Sequence, residues 1–424
     1  MAGPDLAPRS ARADAADIQG LLRTGYGDLH EASFLLLTVT DEAAARRWLA
    51  AHIPAVATAK RGGSNATTAM HIAFTAPGLL ALGVPGDVVA QFAPEFVVGM
   101  SGDESRSRRL GDVGENDPRK WLWGGPHVPH LLLMLYAKKN LISFLETTKT
   151  MDFVAGFGEP RLLCTEYLDN HEPFGFTDGI SQPALDWDHI REPGTRADLD
   201  YGNRLSAGEF LLGYKNEYGL YTDRPLLHPA TPGAVGLPRA EDDPTRADLG
   251  RNGSYLVLRE LHQDVRGFWR CMADHAGDQA VALAEAMVGR RMDGTALVPI
   301  QNAPIAGEEK AENRFTYDQD REGLRCPIGA HIRRANPRTG DMPPGPHGLL
   351  ARLVRMLGLG KPDLREDLIA PARFHRLLRR GRPFGRLLAP AAARDPSAGD
   401  PGAGNYFIAI NASIARQFEF IQNA

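Results

Sequence analysis

The chain has 424 residues, 43% of them hydrophobic and 24% charged, with a formal net charge of −4. That length buries a large core and suits two domains or one folded unit with insertions; the mild acidity excludes a global electrostatic drive toward nucleic acid or anionic membranes. Three scattered cysteines, Cys164, Cys271 and Cys326, lack metal-ligand spacing, which argues against a disulfide framework and suits a reducing compartment.

Met1 to Gly20 carries no apolar signal-like core and no adjacent arginine pair, and no apolar run is long enough to span a bilayer. The expectation is a cytoplasmic protein without a membrane partner. Residues 34–39 read as a buried strand, and Thr40 is the expected cap of a helix through Ile53, with Asp41 and Glu42 where the helix dipole favours acids. Residues 67–75 alternate as a strand and run into a short apolar helix ending at Gly83. A strand at 130–136 and a helix at 141–150 follow, an order close to a split βαβ unit. The polar, turn-rich stretch 186–208 is the candidate boundary, dividing 1–207 from 208–424.

The second half predicts a similar order. Strands are expected at 209–214 and 254–259, helices at 265–275 and 279–290, further strands at 373–380 and 405–410, and a closing helix at 414–422. Two insertions, 232–253 and 340–371, interrupt it; the second contains an amphipathic segment at 349–357 that ordinary packing explains best. Residues 387–404 read as a loop. The expected fold class is α+β, with two packed halves.

Three stretches carry chemistry. His331 sits in small apolar company within Arg325-Cys326-Pro327-Ile328-Gly329-Ala330-His331, followed by Arg333, Arg334 and Arg338. A neutral imidazole suits iron, and guanidinium groups suit carboxylates, so the segment fits a haem; alone it also fits a solvated basic turn. Asp178, in Gly175-Phe176-Thr177-Asp178-Gly179, reads first as a surface turn. Its flanking Phe174, Phe176 and Ile180 make a carboxylate costly there unless held, which marks it as a candidate acid–base group. On a strand through Arg379-Arg380-Gly381, Arg379 faces opposite to Arg380. A nucleic-acid patch is the rival reading of this basic run, disfavoured by few aromatics and the overall charge.

Together these pieces resemble the dye-decolourising peroxidases. The likeness rests on Gly175 to Gly179, on Cys326-Pro327 through His331 to Asn336-Pro337-Arg338, and on Arg379-Arg380-Gly381 running into Pro383-Phe384-Gly385. Supporting stretches are Asp17 to Gly20, Gly208 to Tyr214, Asn252 to Val257 and Arg416 to Gln422, so it covers nearly the whole chain, closest to the larger bacterial and fungal branch. The resemblance implies two ferredoxin-like domains with antiparallel sheets, and one haem b held by the C-terminal one. It implies His331 as proximal ligand, Asp178 as distal acid–base residue and Arg379 as its partner. Arg338 is the implied propionate partner, with Arg333 and Arg334 as further candidates. The acceptor for the second imidazole nitrogen is the gap: Asn411-Ala412-Ser413 stands where related members have an Asp, and Glu419 is the substitute considered.

The implied reaction reduces hydrogen peroxide and oxidises dyes, phenols or other aromatic donors, in a monomer or homodimer without nucleic acid. A carboxylate remains a base in acid where an imidazole is protonated, so an acid optimum is expected. Bulky donors would pass electrons through surface aromatics; Trp187, Tyr214, Tyr218, Tyr221, Tyr255 and Trp269 are candidates, against ordinary packing roles for each. The alternatives are a haem-handling protein with weak turnover, which needs neither Asp178 nor Arg379, and a cofactor-free binding protein.

Overall fold

The computed structural model describes residues 13–60, 66–191, 202–308, 310–338, 375–395, 397 and 399–423. The heart of the expected boundary (192–201), the insertion at 340–371 with its amphipathic 349–357, and Arg373 and Phe374 lie outside the described residues.

The first half builds on β1 (Glu31–Leu37), β2 (Thr68–Phe74), β3 (Leu131–Ala137) and β4 (Arg161–Cys164), hydrogen-bonded antiparallel in the order β2-β3-β1-β4. β1 and β3 are near-continuous apolar runs because both faces of this sheet are covered. Phe34, Leu36, Met134 and Tyr136 point into one buried cluster, and Leu35, Leu37, Leu133 and Leu135 into another. The second cluster is closed by Trp48 and Leu49 of α1 (Glu42–His52), by Phe153 of α3 (Met151–Gly156), and by Phe144 and Leu145 of α2 (Leu141–Thr148). Asp41, not Thr40, caps α1: its carboxylate accepts the Ala44 N–H at 2.8 Å, while the Thr40 hydroxyl bonds Ala155.

The second half has the same strand order in part. β5 (Tyr255–His262) leads into α4 (Val265–Ala276) and α5 (Ala280–Val288). The short α6 (His331–Ala335) precedes β6 (Leu378–Arg379), β7 (Arg382–Phe384) and β8 (Gly404–Asn411). β8 lies centrally, paired antiparallel with β5 along its full length and with β6 and β7 on its other edge. That is the 1-3-2 portion of the first sheet's order, with β6 and β7 together in the place of β2; among the described residues no strand takes the place of β4. The fold is α+β with ferredoxin-like topology, as the resemblance implied.

The two sheets face each other. Leu378, Phe384, Tyr406, Ile408 and Ile410 join Phe34, Leu36, Met134 and Tyr136 in one cluster. The far face of the second sheet, with Tyr255, Val257 and Ala409, packs against Ala93, Leu212, Ile414 and Phe418, while α4 and α5 form a separate cluster in which Val265, Trp269, Met272 and Ala284 pack with Phe176.

The expected strand at 209–214 is a correction. Ala207–Glu209 is a 3-10 turn, and the chain winds tightly through it: Leu211 N–H bonds Ala207 O and Leu212 N–H bonds Gly253 O. Gly208 allows this, since a Cβ would lie 2.3 Å from the Tyr214 carbonyl oxygen. The run is apolar because it is wholly buried, and such a run does not announce its conformation. Within 387–404, Pro390–Arg394 forms a helical turn rather than continuous loop. The described residues include no helix long and apolar enough to cross a membrane.

Candidate functional site

The segment containing Asp178 folds back on itself. Asp178 N–H bonds Asn170 O at 2.8 Å, Glu172 N–H bonds Phe176 O at 2.9 Å, and Gly175 N–H closes the turn on Glu172 O at 2.8 Å. Gly175 takes φ +97°, a conformation an L side chain rarely adopts. Phe174 and Phe176 anchor the turn among Trp269, Phe268, Met272 and Met292, while Thr177 holds Met292 O through both N–H and hydroxyl. Asp178 itself emerges exposed at the end of this rigid turn, its Oδ1 accepting the Gly179 N–H.

Arg379 is delivered by β6. Leu378 fills the core between the sheets, so its neighbour projects to the opposite side. Two residues just beyond Asp178 fix it: Arg379 N–H donates to Gln182 Oε1 and its Nη2 donates to the Ser181 carbonyl, each at 2.9 Å. The Ser181 hydroxyl accepts the Asn336 amide from beyond α6 at 3.2 Å. One short segment therefore touches the Arg379 strand and the His331 region together.

His331 opens α6. The loop before it is pinned by Asp320, which accepts the N–H groups of Arg325 and Cys326. Arg333 is buried here: it donates to Cys326 O at 2.7 Å and Asp320 O at 3.0 Å, and lies 4.2 Å over the Tyr317 ring. Gly289 lets the end of α5 come close, since a Cβ there would meet Ile332 at 2.6 Å. His331 is exposed to solvent, with protein packed closely around it. Its pKa is lowered, first by that burial and then by the Arg379 charge, while the Asp178 charge pulls the other way. Asp178 and Arg379, far apart in sequence, both lie within electrostatic reach of His331.

Around them lies a set of arginines, of which the sequence singled out Arg338 and Arg334 but not Arg290 or Arg376. Arg338 donates to Asn313 O and Phe315 O at 2.8 Å and approaches Glu308 at 3.5 Å. Arg290 donates to Gly294 O and Asn313 Oδ1, both at 2.8 Å; burial, then Arg338 and Arg379, push its pKa down to about 10. Arg376 bonds Asn203, whose amide in turn holds Gln182 O at 2.7 Å. Glu308 feels Arg338, Arg376 and Arg290, yet burial keeps its pKa raised. Arg334 is exposed on α6. Arg376 lay inside the basic run already noted; Arg290, at the end of a helix, gave no sequence signal, because its neighbours are assembled only by folding.

The donor set fits a haem. An exposed imidazole is presented within reach of Asp178 and Arg379, and several guanidinium groups gather near one carboxylate, which suits a dianionic macrocycle with an iron centre. The carboxylate of Glu419, the substitute considered for the imidazole's acceptor, pairs with Arg106 at 2.8 Å and is not among the charges acting on His331. Of the six aromatics considered for electron entry, Tyr214, Tyr255 and Trp269 are core residues, whereas Tyr218 is exposed.

No family model matches the chain. A dye-decolorizing peroxidase of Exidia glandulosa is 26% identical over 96% of this chain and 72% of its own length. A multifunctional dye peroxidase of Amycolatopsis is 27% identical over 99% of this chain and 79% of its own. Among solved structures, a fungal DyP-type peroxidase from Auricularia auricula-judae superposes with a TM-score of 0.68 at 23% identity, covering 98% of this chain and 84% of that one.

Proposed function

Because the chain belongs to the dye-decolourising peroxidase family, we propose that it is a haem-dependent peroxidase, reducing hydrogen peroxide and oxidising dyes, phenols or other aromatic one-electron donors. The observation supporting this reading is that the segment just beyond Asp178 binds both Arg379 and Asn336 next to the His331 helix, with Asp178 and Arg379 each in electrostatic reach of His331. One haem b per chain would supply the iron at which peroxide is cleaved and the redox equivalents that aromatic donors return. His331 would supply a nitrogen ligand to its iron. Arg338 and Arg334 would meet the propionates, with Arg290 and Arg376 adding positive field, whereas Arg333 serves as the staple of the His331 loop. The haem-bearing domain would begin near residue 208.

Heterolysis of peroxide needs a proton to leave one oxygen and arrive at the other. Asp178, exposed at the tip of a fixed turn, would take the first proton and return it, a role worth about 10²–10⁴ in rate. Arg379, held by Ser181 and Gln182, would stabilise the charge growing on the departing oxygen. A haem-handling protein would have no use for either residue in this arrangement. In the test, Asp178→Asn should take up haem like the unaltered protein but consume peroxide slower by about that same factor. An unchanged rate removes Asp178 from the reaction.

A further inference from the structure

Behind the Asp178 turn lies a half-buried carboxylate that the proposed reaction does not use. Glu172 sits at the base of the turn, and three donors converge on it. Its Oε1 accepts the Phe176 N–H at 3.1 Å; its Oε2 accepts the Phe174 N–H at 3.0 Å and the Gln263 amide at 2.9 Å. Main-chain bonds from Glu172 to Phe176 and from Gly175 to Glu172 close the same five residues, and Trp269 Nε1 donates to Phe174 O at 3.2 Å. Phe176 is two positions from Asp178.

We propose that Glu172 is a positioning residue for the peroxide reaction: by accepting two main-chain N–H groups of the turn and the Gln263 side chain ahead of α4, its carboxylate fixes the direction in which Asp178 is presented. The inference rests on the peroxidase reading. Chemistry specifies the side chain narrowly. Both oxygens are used as acceptors from fixed N–H donors, so a carboxamide can serve only one of them and would set its own N–H₂ against the other. A carboxylate at this depth is costly, and burial raises the Glu172 pKa, with the nearby Asp178 charge acting in the same direction and the three hydrogen bonds opposing it. The fold retains a partly desolvated charge here, and the turn it organises carries the proposed acid–base group.

The test is a double-mutant cycle in the haem-loaded protein. Glu172→Gln should lower the second-order rate constant for peroxide about ten-fold or more, leaving the haem absorption spectrum and the KM for the aromatic donor as in the unaltered protein. Hydrogen exchange at the Phe174 and Phe176 amides should accelerate. In an Asp178→Asn background the same substitution should cost nothing further, because a turn without its carboxylate has nothing left to aim. A rate within about two-fold of the unaltered protein, or an equal loss in both backgrounds, overturns the role of Glu172. An Asp178→Asn protein as fast as the unaltered one removes Asp178 from the reaction, and haem-loaded protein that consumes no peroxide overturns the peroxidase reading instead. If Glu172→Gln yields no folded protein, Gln263→Ala removes one donor without altering the turn. A slowing of about two- to three-fold, confined to the background that retains Asp178, is then expected, and no change overturns the proposal.

Discussion

Arg379→Lys separates charge from geometry at the proposed site. The positive charge survives, and so does the main-chain bond from position 379 to Gln182, because neither depends on the guanidinium. What disappears is the 2.9 Å bond from Nη2 to the Ser181 carbonyl, which holds the arginine to the segment carrying Asp178. A shorter reach and a rotating ammonium do not replace a fixed fork. Hydrogen bonds from charged donors contribute about 1.5–3 kcal/mol. If that alignment is needed when charge develops on the departing oxygen, its loss slows the peroxide step about ten- to one-hundred-fold. Stopped-flow absorbance of the haem-loaded protein, mixed with excess peroxide at several concentrations, gives the rate constant directly. Haem uptake should be unchanged. A rate within about two-fold of the unaltered protein refutes the reasoning, because it leaves the Ser181 tether without effect on the reaction.

Three other outcomes follow from the same contacts. Arg333→Met removes a buried guanidinium from Asp320 and the Cys326 carbonyl. It should lower stability by about 3 kcal/mol or more, read by urea unfolding, and weaken hemin retention through the His331 loop. Glu209 is fully buried, and burial raises its pKa from 4.5 to about 7 against the opposing pull of Arg416. The folded state therefore holds a proton the unfolded chain has released between those values. Its contribution to stability is present below pH 4.5 and lost as pH rises through 7. The cost of Glu209→Gln, measured as a difference in melting temperature, should accordingly shrink from pH 5 to pH 7.5. Glu419→Gln should leave the haem spectrum and midpoint potential unaltered, since Glu419 is occupied with Arg106, and should register only in thermal stability.

The strands of the first sheet were legible because β1 and β3 are buried on both faces and so are written as unbroken apolar runs. β4 was not: its four residues, Arg161 to Cys164, are mostly exposed and bury only Leu163, too little pattern to distinguish from a loop. The 209–214 segment misled for the opposite reason, being apolar throughout yet wound around Gly208. Asp178, His331 and Arg379 could be picked out because each sits in a short motif with an unusual chemical setting. The side chains that hold them could not. Glu172, Ser181, Gln182 and Asn336 are ordinary polar residues in sequence, and only the crossing of distant segments gives them partners. Arg333 illustrates the limit well. Its place two residues after His331 suggested a propionate, and packing gave it Asp320, Tyr317 and a carbonyl instead.

Everything proposed for this chain depends on an imidazole at position 331 binding iron in the presence of Asp178 and Arg379. Titration of the purified, haem-free protein with hemin, followed by absorption spectroscopy beside His331→Ala, tests that claim most directly. The unaltered chain should saturate at one hemin per polypeptide with a sharp Soret band characteristic of a histidine-ligated haem. His331→Ala should lose that band and recover it when free imidazole is added. Identical spectra from the two proteins, or no saturable uptake by either, would contradict the account.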